Sequence, residues 1–391
     1  MRKHIVIVTY NDYPAFEGLG ERIKNISRVI RDHEHNVTIL APNIENRHLL
    51  DEQVFSERII RINIYIPHFL KKNRVIARTC TMIMQTLCTP YIYLKYLRKK
   101  PINIIMAEQI YAVPTALMLK MFSRSKVYVD DICTVSDILQ AEGSVLLSKV
   151  LTFFEKVLFK FCDGFIYTSA VSYQYYEERG VKPSILLANG VNGDKFVPVV
   201  KVSDTLIIFF NGSTYSSQNN AATTNFIKIG KDVMSRIKQD VHFRLICWPE
   251  YYLPENVKND IIYAKKWLTF SGGVEKIELE IGHADIAILA YNKGHNLSGG
   301  VRLKALEYMA CGKLIISTPE GVEGIKGLIP NTHYVLAESV DDIADIILEI
   351  VQYPEKIDII SQNARKFVLS KYDWKVTLEE YIGKLQLMHS D

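Results

Sequence analysis

Short apolar runs alternate along this chain with longer segments in which hydrophobic residues recur at helical spacing. The first apolar run, residues 4–9, is followed by a loop at 11–20, a helix from about 21 to 31 and a second run at 37–41. Runs this short are typical of strands that are buried on both faces of a parallel sheet. The order of strand, loop and helix therefore predicts a doubly wound α/β fold.

The same pattern starts again near residue 205. A strand is predicted at 206–210, a glycine turn at 211–214 and further strands at 241–246 and 286–289. A chain of 391 residues also exceeds the size at which single hydrophobic cores stop growing. We therefore expect two Rossmann-like domains, residues 1–198 and 205–373.

Composition narrows the class of protein. With 48% hydrophobic and 23% charged residues, the chain has the makeup of a globular protein with a large core. Its six cysteines show neither C-x-x-C spacing nor clustering with histidine, which disfavours a zinc site or a disulfide framework. No signal peptide and no run of 18 apolar residues occurs. These observations predict a cytoplasmic location, and no spacing suggests a metal site.

The charge is unevenly distributed. Residues 1–200 carry 26 basic and 19 acidic side chains, and the remainder carries 21 and 24. Within the first half, residues 58–107 contain ten Lys or Arg and no Asp or Glu, interleaved with apolar and aromatic residues. Such a segment fits either a peripheral contact with an anionic membrane or a core-packing helix with a basic outer face. No nucleic-acid-binding motif accompanies it, so we do not expect nucleic acid as a partner.

Residues 296–324 combine features suited to a phosphate ligand. A turn containing Gly299 and Gly300 opens onto a predicted helix that places Lys304 and Glu307 on one face. Free N–H groups at such a helix start, including that of Val301, suit a diphosphate, and Lys304 adds positive charge. The alternative is an ordinary helix-to-strand unit with a solvated Lys and Glu.

Carboxylates follow two predicted strands of the first half. Glu108 ends the strand at 102–107, and Asp130 and Asp131 end the strand at 126–129. Ligands of open α/β sheets bind at the carboxyl ends of the strands, so these three are acceptor-side candidates. Each is also explained as a helix cap or a solvated loop charge.

Two segments of the chain resemble a known family. The segment Lys304 to Lys313, K-A-L-E-Y-M-A-C-G-K, resembles the donor site of glycosyltransferase family four, the group 1 glycosyl transferases. Residues 188–198, ANGVNGDKFVP, resemble the end of that family's first domain. The resemblance implies the GT-B fold, in which two Rossmann-like domains face a cleft and a last helix, here about 374–391, crosses back to the first domain.

The resemblance also implies a function and a set of residues. It implies transfer of a sugar from a UDP- or GDP-linked donor to a glycan, glycolipid or lipid-linked acceptor, with retention and without a metal or other cofactor. A peripheral position at the inner face of the membrane would suit such an acceptor. Glu307 inherits ribose binding, and the first-domain loop inherits a position at the cleft. The implied residues are Gly18 and Gly20 in that loop, and Gly212, Ser213, Gly299, Gly300, Val301, Lys304 and Glu307 at the donor.

Two departures keep other functions open. Gly299 stands where relatives carry a sugar-contacting Glu, and Ser213 stands where many carry Arg. The sequence identifies no catalytic nucleophile or base. A catalytically degenerate partner protein therefore stays an alternative, and so, more distantly, does a nucleotide-sugar epimerase or hydrolase.

Overall fold

The computed structural model describes residues 2–387 except 15–17, 45–48, 55–56, 68–69, 71–73, 132–134, 137–138, 140–143, 178–182, 201–203, 215–216, 251–252 and 295–300. The chain forms two compact units. The first unit comprises the chain up to Ala188 together with the segment from Leu378 onward, and the second comprises Asn189–Thr377.

The first unit is built on an eight-stranded sheet of order β3-β4-β2-β1-β5-β6-β7-β8. All neighbouring strands are parallel except β3 and β4. The strands are β1 (His4–Val8), β2 (Asn36–Asn43), β3 (Asp51–Val54), β4 (Glu57–Asn63), β5 (Ile104–Glu108), β6 (Lys126–Asp131), β7 (Gly164–Tyr167) and β8 (Pro183–Leu186).

Helices cover both faces of this sheet, as its fully buried central strands β1 and β5 require. One face packs against α2, α3 and α4 in a core that includes Val6, Ile105, Val129 and Phe159. The helices are α1 (Gly18–Asp32), α2 (Arg74–Ile92) with a π-helical extension at Tyr93–Leu97, α3 (Gln109–Ser123), α4 (Val145–Phe159) and α5 (Ala170–Glu177).

The second unit contains a six-stranded parallel sheet of order β11-β10-β9-β12-β13-β14. Its strands are β9 (Leu206–Ser213), β10 (Val241–Trp248), β11 (Leu268–Ser271), β12 (Ile286–Leu289), β13 (Leu314–Ser317) and β14 (Val335–Leu336). The remaining helices are α6 (Ser217–Arg236), α7 (Glu255–Tyr263), α8 (Ile277–His283), α9 (Leu303–Ala310), α10 (Pro319–Val322), α11 (Ile343–Gln352), α12 (Glu355–Tyr372) and α13 (Trp374–Leu387). The predicted α/β class with two parallel-sheet units is confirmed.

Two predicted boundaries were wrong. The expected glycine turn at 211–214 is largely strand, because Gly212 and Ser213 pair with Cys247 and Trp248 of β10 and so extend β9. Gly18 and Gly20 lie in the first turn of α1 rather than in the loop before it.

Candidate functional site

Lys304 lies in the first turn of α9, at the carboxyl end of β9. Its ammonium group donates to the main-chain oxygen of Asn211 at 2.8 Å and to Asn219 Oδ1 at 3.2 Å. It also lies 4.7 Å from the ring centre of Phe210 and 5.7 Å from that of Tyr291. Two oxygens and two aromatic faces therefore hold this half-buried cation at the edge of the sheet.

Two tyrosines orient the amides around this lysine. The buried hydroxyl of Tyr308 donates to Asn211 Oδ1 at 2.6 Å and accepts the Asn211 N–H at 3.1 Å. Tyr291 donates to Asn219 Oδ1 at 2.8 Å. Burial raises the pKa of Tyr308 well above its usual value, so this hydroxyl stays a donor at neutral pH.

A second cation stands beside Lys304. The Arg302 guanidinium lies 3.6 Å from the ring centre of Tyr291, and its Nε donates to the main-chain oxygen of Glu320 at 3.0 Å. Burial lowers the pKa of Arg302, although an arginine remains charged in proteins. Arg302 and Lys304 thus place two positive charges at the start of α9, where the helix dipole is also positive.

Other predicted donor residues have different outcomes. Gly299 and Gly300 lie outside the described residues. Val301 is buried, and its main-chain oxygen accepts a hydrogen bond from Asn189 Nδ2 at 3.2 Å. Glu307 lies one turn beyond Lys304 on α9 and is half-buried. The structure thus places Lys304 and Glu307 on one helix at the end of β9. Gly212 and Ser213 are the last two residues of that strand.

An aromatic residue that sequence reasoning missed ends the neighbouring strand. The Trp248 side chain is 50% exposed at the end of β10. Gly273 approaches it so closely that a Cβ there would lie 2.8 Å from the indole Cδ1. A tryptophan closing an apolar strand, in Leu245 to Trp248, was the available signal. A flat, partly exposed ring at this edge can stack on a planar ligand.

In the first unit, Glu108 ends β5 as predicted and is almost completely buried. The Thr9 hydroxyl donates to its Oε2, while Oε1 is buried and has no hydrogen-bond partner among the described residues. Burial raises the pKa of Glu108 to about 8, with a smaller contribution from the charge of Asp130. Glu108 is therefore largely protonated at neutral pH, a polar group without full charge.

Asp130 is engaged by a buried arginine. Arg22 of α1 donates from Nε and Nη2 to the two Asp130 carboxylate oxygens at 2.9 and 2.7 Å, and from Nη2 to the Leu187 oxygen at 3.1 Å. This two-pronged pair joins α1 to β6 and satisfies Asp130 within the protein. Asp131 ends β6, and its side chain lies outside what the structure describes.

A strained residue stands beside Glu108. Gln109 opens α3 with φ of 59°, a left-handed conformation uncommon for glutamine. Its Oε1 accepts a hydrogen bond of 2.5 Å from Tyr10, and the Arg78 guanidinium lies 5.4 Å from the Tyr10 ring centre. Strained backbone collects at functional sites, and neither Gln109 nor Arg78 carried a signal in the sequence.

Several basic residues of the stretch 58–107 whose side chains the structure describes are engaged within the protein. Arg58 pairs with Asp51, and Arg61 is buried, donating to main-chain oxygens of Tyr13 and Leu49. Arg78 faces the Tyr10 ring. Among the described side chains of this stretch, the exposed positive charges are those of Lys95, Arg98, Lys99 and Lys100.

The described residues contain no group of three or more His, Cys, Asp or Glu arranged to hold a metal ion. The candidate site residues described above lie at two sheet edges, one with Lys304 and Arg302 and one with Glu108.

Comparison with known proteins gives this geometry a context. Residues 205–353 match the family model described as "Glycosyl transferases group 1". A curated relative, an uncharacterized glycosyltransferase of Methanocaldococcus jannaschii, is 25% identical over an alignment of 259 residues, and the match covers 58% of this chain and 59% of that protein. The match thus spans less than two thirds of the relative's length.

Solved structures match over nearly the whole chain. Sucrose-phosphate synthase from Thermosynechococcus elongatus has a TM-score of 0.75 and 16% identity, covering 100% of both chains. Trehalose 6-phosphate synthase from Burkholderia multivorans has a TM-score of 0.72 and 11% identity, covering 100% of this chain and 99% of the other. Anabaena HepE, solved with UDP-glucose, has a TM-score of 0.67 and 12% identity, covering 98% and 99%. The predicted GT-B fold is confirmed.

Proposed function

We propose that this chain, whose residues 205–353 belong to the group 1 glycosyl transferases, moves a sugar from a nucleotide-diphosphate sugar to a glycan, glycolipid or lipid-linked acceptor. The observation that carries the proposal is the paired charge of Arg302 and Lys304 at the carboxyl end of β9. Ligands of open α/β sheets bind at this edge, and two adjacent cations match a diphosphate.

In this proposal, the second unit binds the donor. Lys304 and Arg302 would neutralise charge that grows on the diphosphate as the bond to the sugar breaks, which is where electrostatic stabilisation lowers the barrier most. The main-chain N–H groups of Gly299, Gly300 and Val301 would add donors, with Gly212 and Ser213 beside them. Glu307 would bind the ribose hydroxyls.

The nucleobase would stack on Trp248, since this half-exposed indole ends the strand next to β9. A structure of Anabaena HepE contains UDP, which favours a UDP-linked donor over a GDP-linked one. Retention and independence of metal ions belong to the proposal through the family.

The acceptor would lie at the Glu108 edge of the first unit. A carboxyl group that is largely protonated at neutral pH can donate a hydrogen bond to an acceptor hydroxyl or accept one from it. Its Oε1 has no hydrogen-bond partner in the described part of the chain, and Gln109 beside it is strained. Asp130, held by Arg22, would keep α1 in place, and Gly18 and Gly20 in the first turn of that helix would be near the acceptor.

A catalytically degenerate partner protein is the second candidate. Two observations favour it: Gly299 supplies no carboxylate for the donated sugar, and Ser213 is paired within β9 instead of leading a glycine turn. Such a protein would bind no nucleotide, or would bind one without turnover.

The test is thermal stabilisation by UDP, GDP, ADP and dTDP in the presence of EDTA. A nucleotide at about 100 times its dissociation constant adds about 2.7 kcal/mol to the free energy of unfolding. We expect one nucleotide to stabilise the protein and Lys304→Ala to abolish the effect, with exposed Lys266→Ala as the matched control. The absence of any shift would transfer the assignment to the partner protein. Nucleotide release from a donor sugar would then separate a transferase from a silent binder.

A further inference from the structure

Helix α4 buries polar as well as apolar side chains on its inward side. Its fully buried positions include Ser148, Glu155 and Phe159, and the Glu155 carboxylate accepts a hydrogen bond of 3.0 Å from Ser136. Thr152, between them, donates to the main-chain oxygen of Ser148. Phe159, Leu151 and Leu158 also pack on this inward side, so the helix buries a mixed stripe and leaves other apolar residues outside it.

The outward side of α4 is correspondingly apolar. Phe153 and Phe154 are 64% and 51% exposed, and Leu146 is 78% exposed. Contiguous exposed apolar surface of this kind marks an interaction site, because water strongly disfavours it. The exposed apolar residues of this face are Val145, Leu146, Leu147, Val150, Phe153, Phe154, Val157 and, just beyond the helix, Phe161.

The charges on the same face have one sign. Lys149, Lys156 and Lys160 are exposed, whereas the only acidic side chain between residues 145 and 160 is the buried Glu155. Lysine next to exposed phenylalanine and leucine is the composition of helices that lie in the interface of an anionic bilayer.

The apolar face continues beyond α4. Lys120 Nζ, near the end of α3, donates to the Phe161 main-chain oxygen at 3.0 Å, and Met121 next to it is exposed. The Phe122 ring then stacks on Tyr93 at 5.5 Å between ring centres. The end of α3 therefore contacts both the residue that follows α4 and the π-helical extension, which carries the exposed Lys95.

We propose that the outer face of α4 lies in the interfacial region of an anionic membrane, with its lysines at the headgroups. A second copy of the chain is a poorer occupant, because a symmetric contact would bring like-charged lysines together without acidic partners. Among the described residues no helix is long and apolar enough to cross a bilayer, so the contact is peripheral. This proposal rests on the proposed function in one respect only, that the membrane contact would give access to a lipid-linked acceptor.

The test is flotation of the purified chain with vesicles of phosphatidylglycerol and, separately, of phosphatidylcholine. We expect flotation with the anionic vesicles. The double variant Phe153→Ser, Phe154→Ser should weaken it at least about tenfold, since burying one such side chain is worth about 1.5–3 kcal/mol. Lys149→Glu with Lys156→Glu should also weaken it. The matched control is Ile262→Ser with Tyr263→Ser on α7, which are 56% and 83% exposed.

Three results would overturn the proposal: no flotation of the wild type with anionic vesicles, equal flotation of the phenylalanine variant, or a dimer in gel filtration that this variant dissociates. The nucleotide stabilisation measured on the same variant keeps the two proposals apart. If the phenylalanine variant loses flotation but is still stabilised by the nucleotide, the membrane face is supported. If that variant loses flotation and no nucleotide stabilises either the wild type or the variant, the result counts only against the transferase.

Discussion

The two sheet edges of this protein have similar architecture and different electrostatics. In the second unit, Lys304 is held by the Asn211 main-chain oxygen and aromatic rings, and Arg302 by the Glu320 main-chain oxygen and the Tyr291 ring, with the carboxylates of Glu320 and Glu323 also acting on its guanidinium. In the first unit, Arg22 is matched by Asp130, and Glu108 is largely protonated. A parallel sheet with its helices thus provides a position for a ligand, and a few side chains decide whether the ligand is an anion or a neutral hydroxyl compound.

The largest effect should come from breaking the buried ion pair of the first unit. Arg22→Met leaves the Asp130 carboxylate buried without its partner, and we expect it to lower the free energy of unfolding by about 3–5 kcal/mol. Urea denaturation measures this. The double variant Arg22→Met, Asp130→Asn should recover part of the loss, and equal losses in the two variants would show that Asp130 does not need the charge of Arg22.

The protonated carboxyl of Glu108 predicts a pH dependence of opposite sign to that of most acids. Its pKa is raised from 4.5 to about 8 in the folded protein, so the unfolded chain loses this proton first as pH rises. The contribution to stability is therefore full below about pH 4.5 and declines through about pH 8, by up to a few kcal/mol. Unfolding of Glu108→Gln at about pH 5 and about pH 8 should show a smaller difference than the wild type. An unchanged difference would mean that Glu108 is ionised in the fold.

One buried tyrosine from each unit, Tyr308 and Tyr381, allows a further comparison between the units. Tyr308 satisfies both Oδ1 and N–H of Asn211, so Tyr308→Phe should cost about 1–3 kcal/mol by leaving these groups unpaired. Tyr381 of the first unit contacts only the weak acceptor Met106 Sδ, at 3.3 Å, among the hydrogen bonds seen, and Tyr381→Phe should cost less. Thermal denaturation of both variants tests this order, and the reverse order would refute it.

The smallest predicted effect concerns the nucleobase. Loss of stacking in Trp248→Ala should weaken nucleotide binding by about 1 kcal/mol, which is roughly fivefold to tenfold. Isothermal titration with the stabilising nucleotide measures it. Tyr263→Ala, another exposed aromatic residue of the second unit, should bind as the wild type does. Unchanged affinity in Trp248→Ala would place the base elsewhere.

Much of the fold was predictable because buried parallel strands leave an unmistakable apolar pattern. The alternation of short apolar runs with helical periodicity predicted both sheets, and the i,i+3 spacing put Lys304 and Glu307 on one helix, as observed. The carboxyl-end rule also placed Glu108 and Asp130 correctly at strand ends. These features are determined by residues that are close together in the sequence, so they can be predicted from it.

The rest depends on partners far away in the chain. Strand β9 extends through Ser213 only because β10 lies beside it. Arg22 reaches Asp130 across 108 positions, and Lys304 reaches Asn211 across 93.

The packing of α4 also depends on both the local sequence and tertiary contacts. Its sequence sets a polar and an apolar side, but tertiary contacts decide that Ser148 and Glu155 face the interior while Phe153 and Phe154 face outward. The sequence by itself determined the elements, their order and the chemical groups available. Only the tertiary structure decided which groups meet and which are buried, because pairing, burial and raised pKa values depend on neighbours that folding brings together.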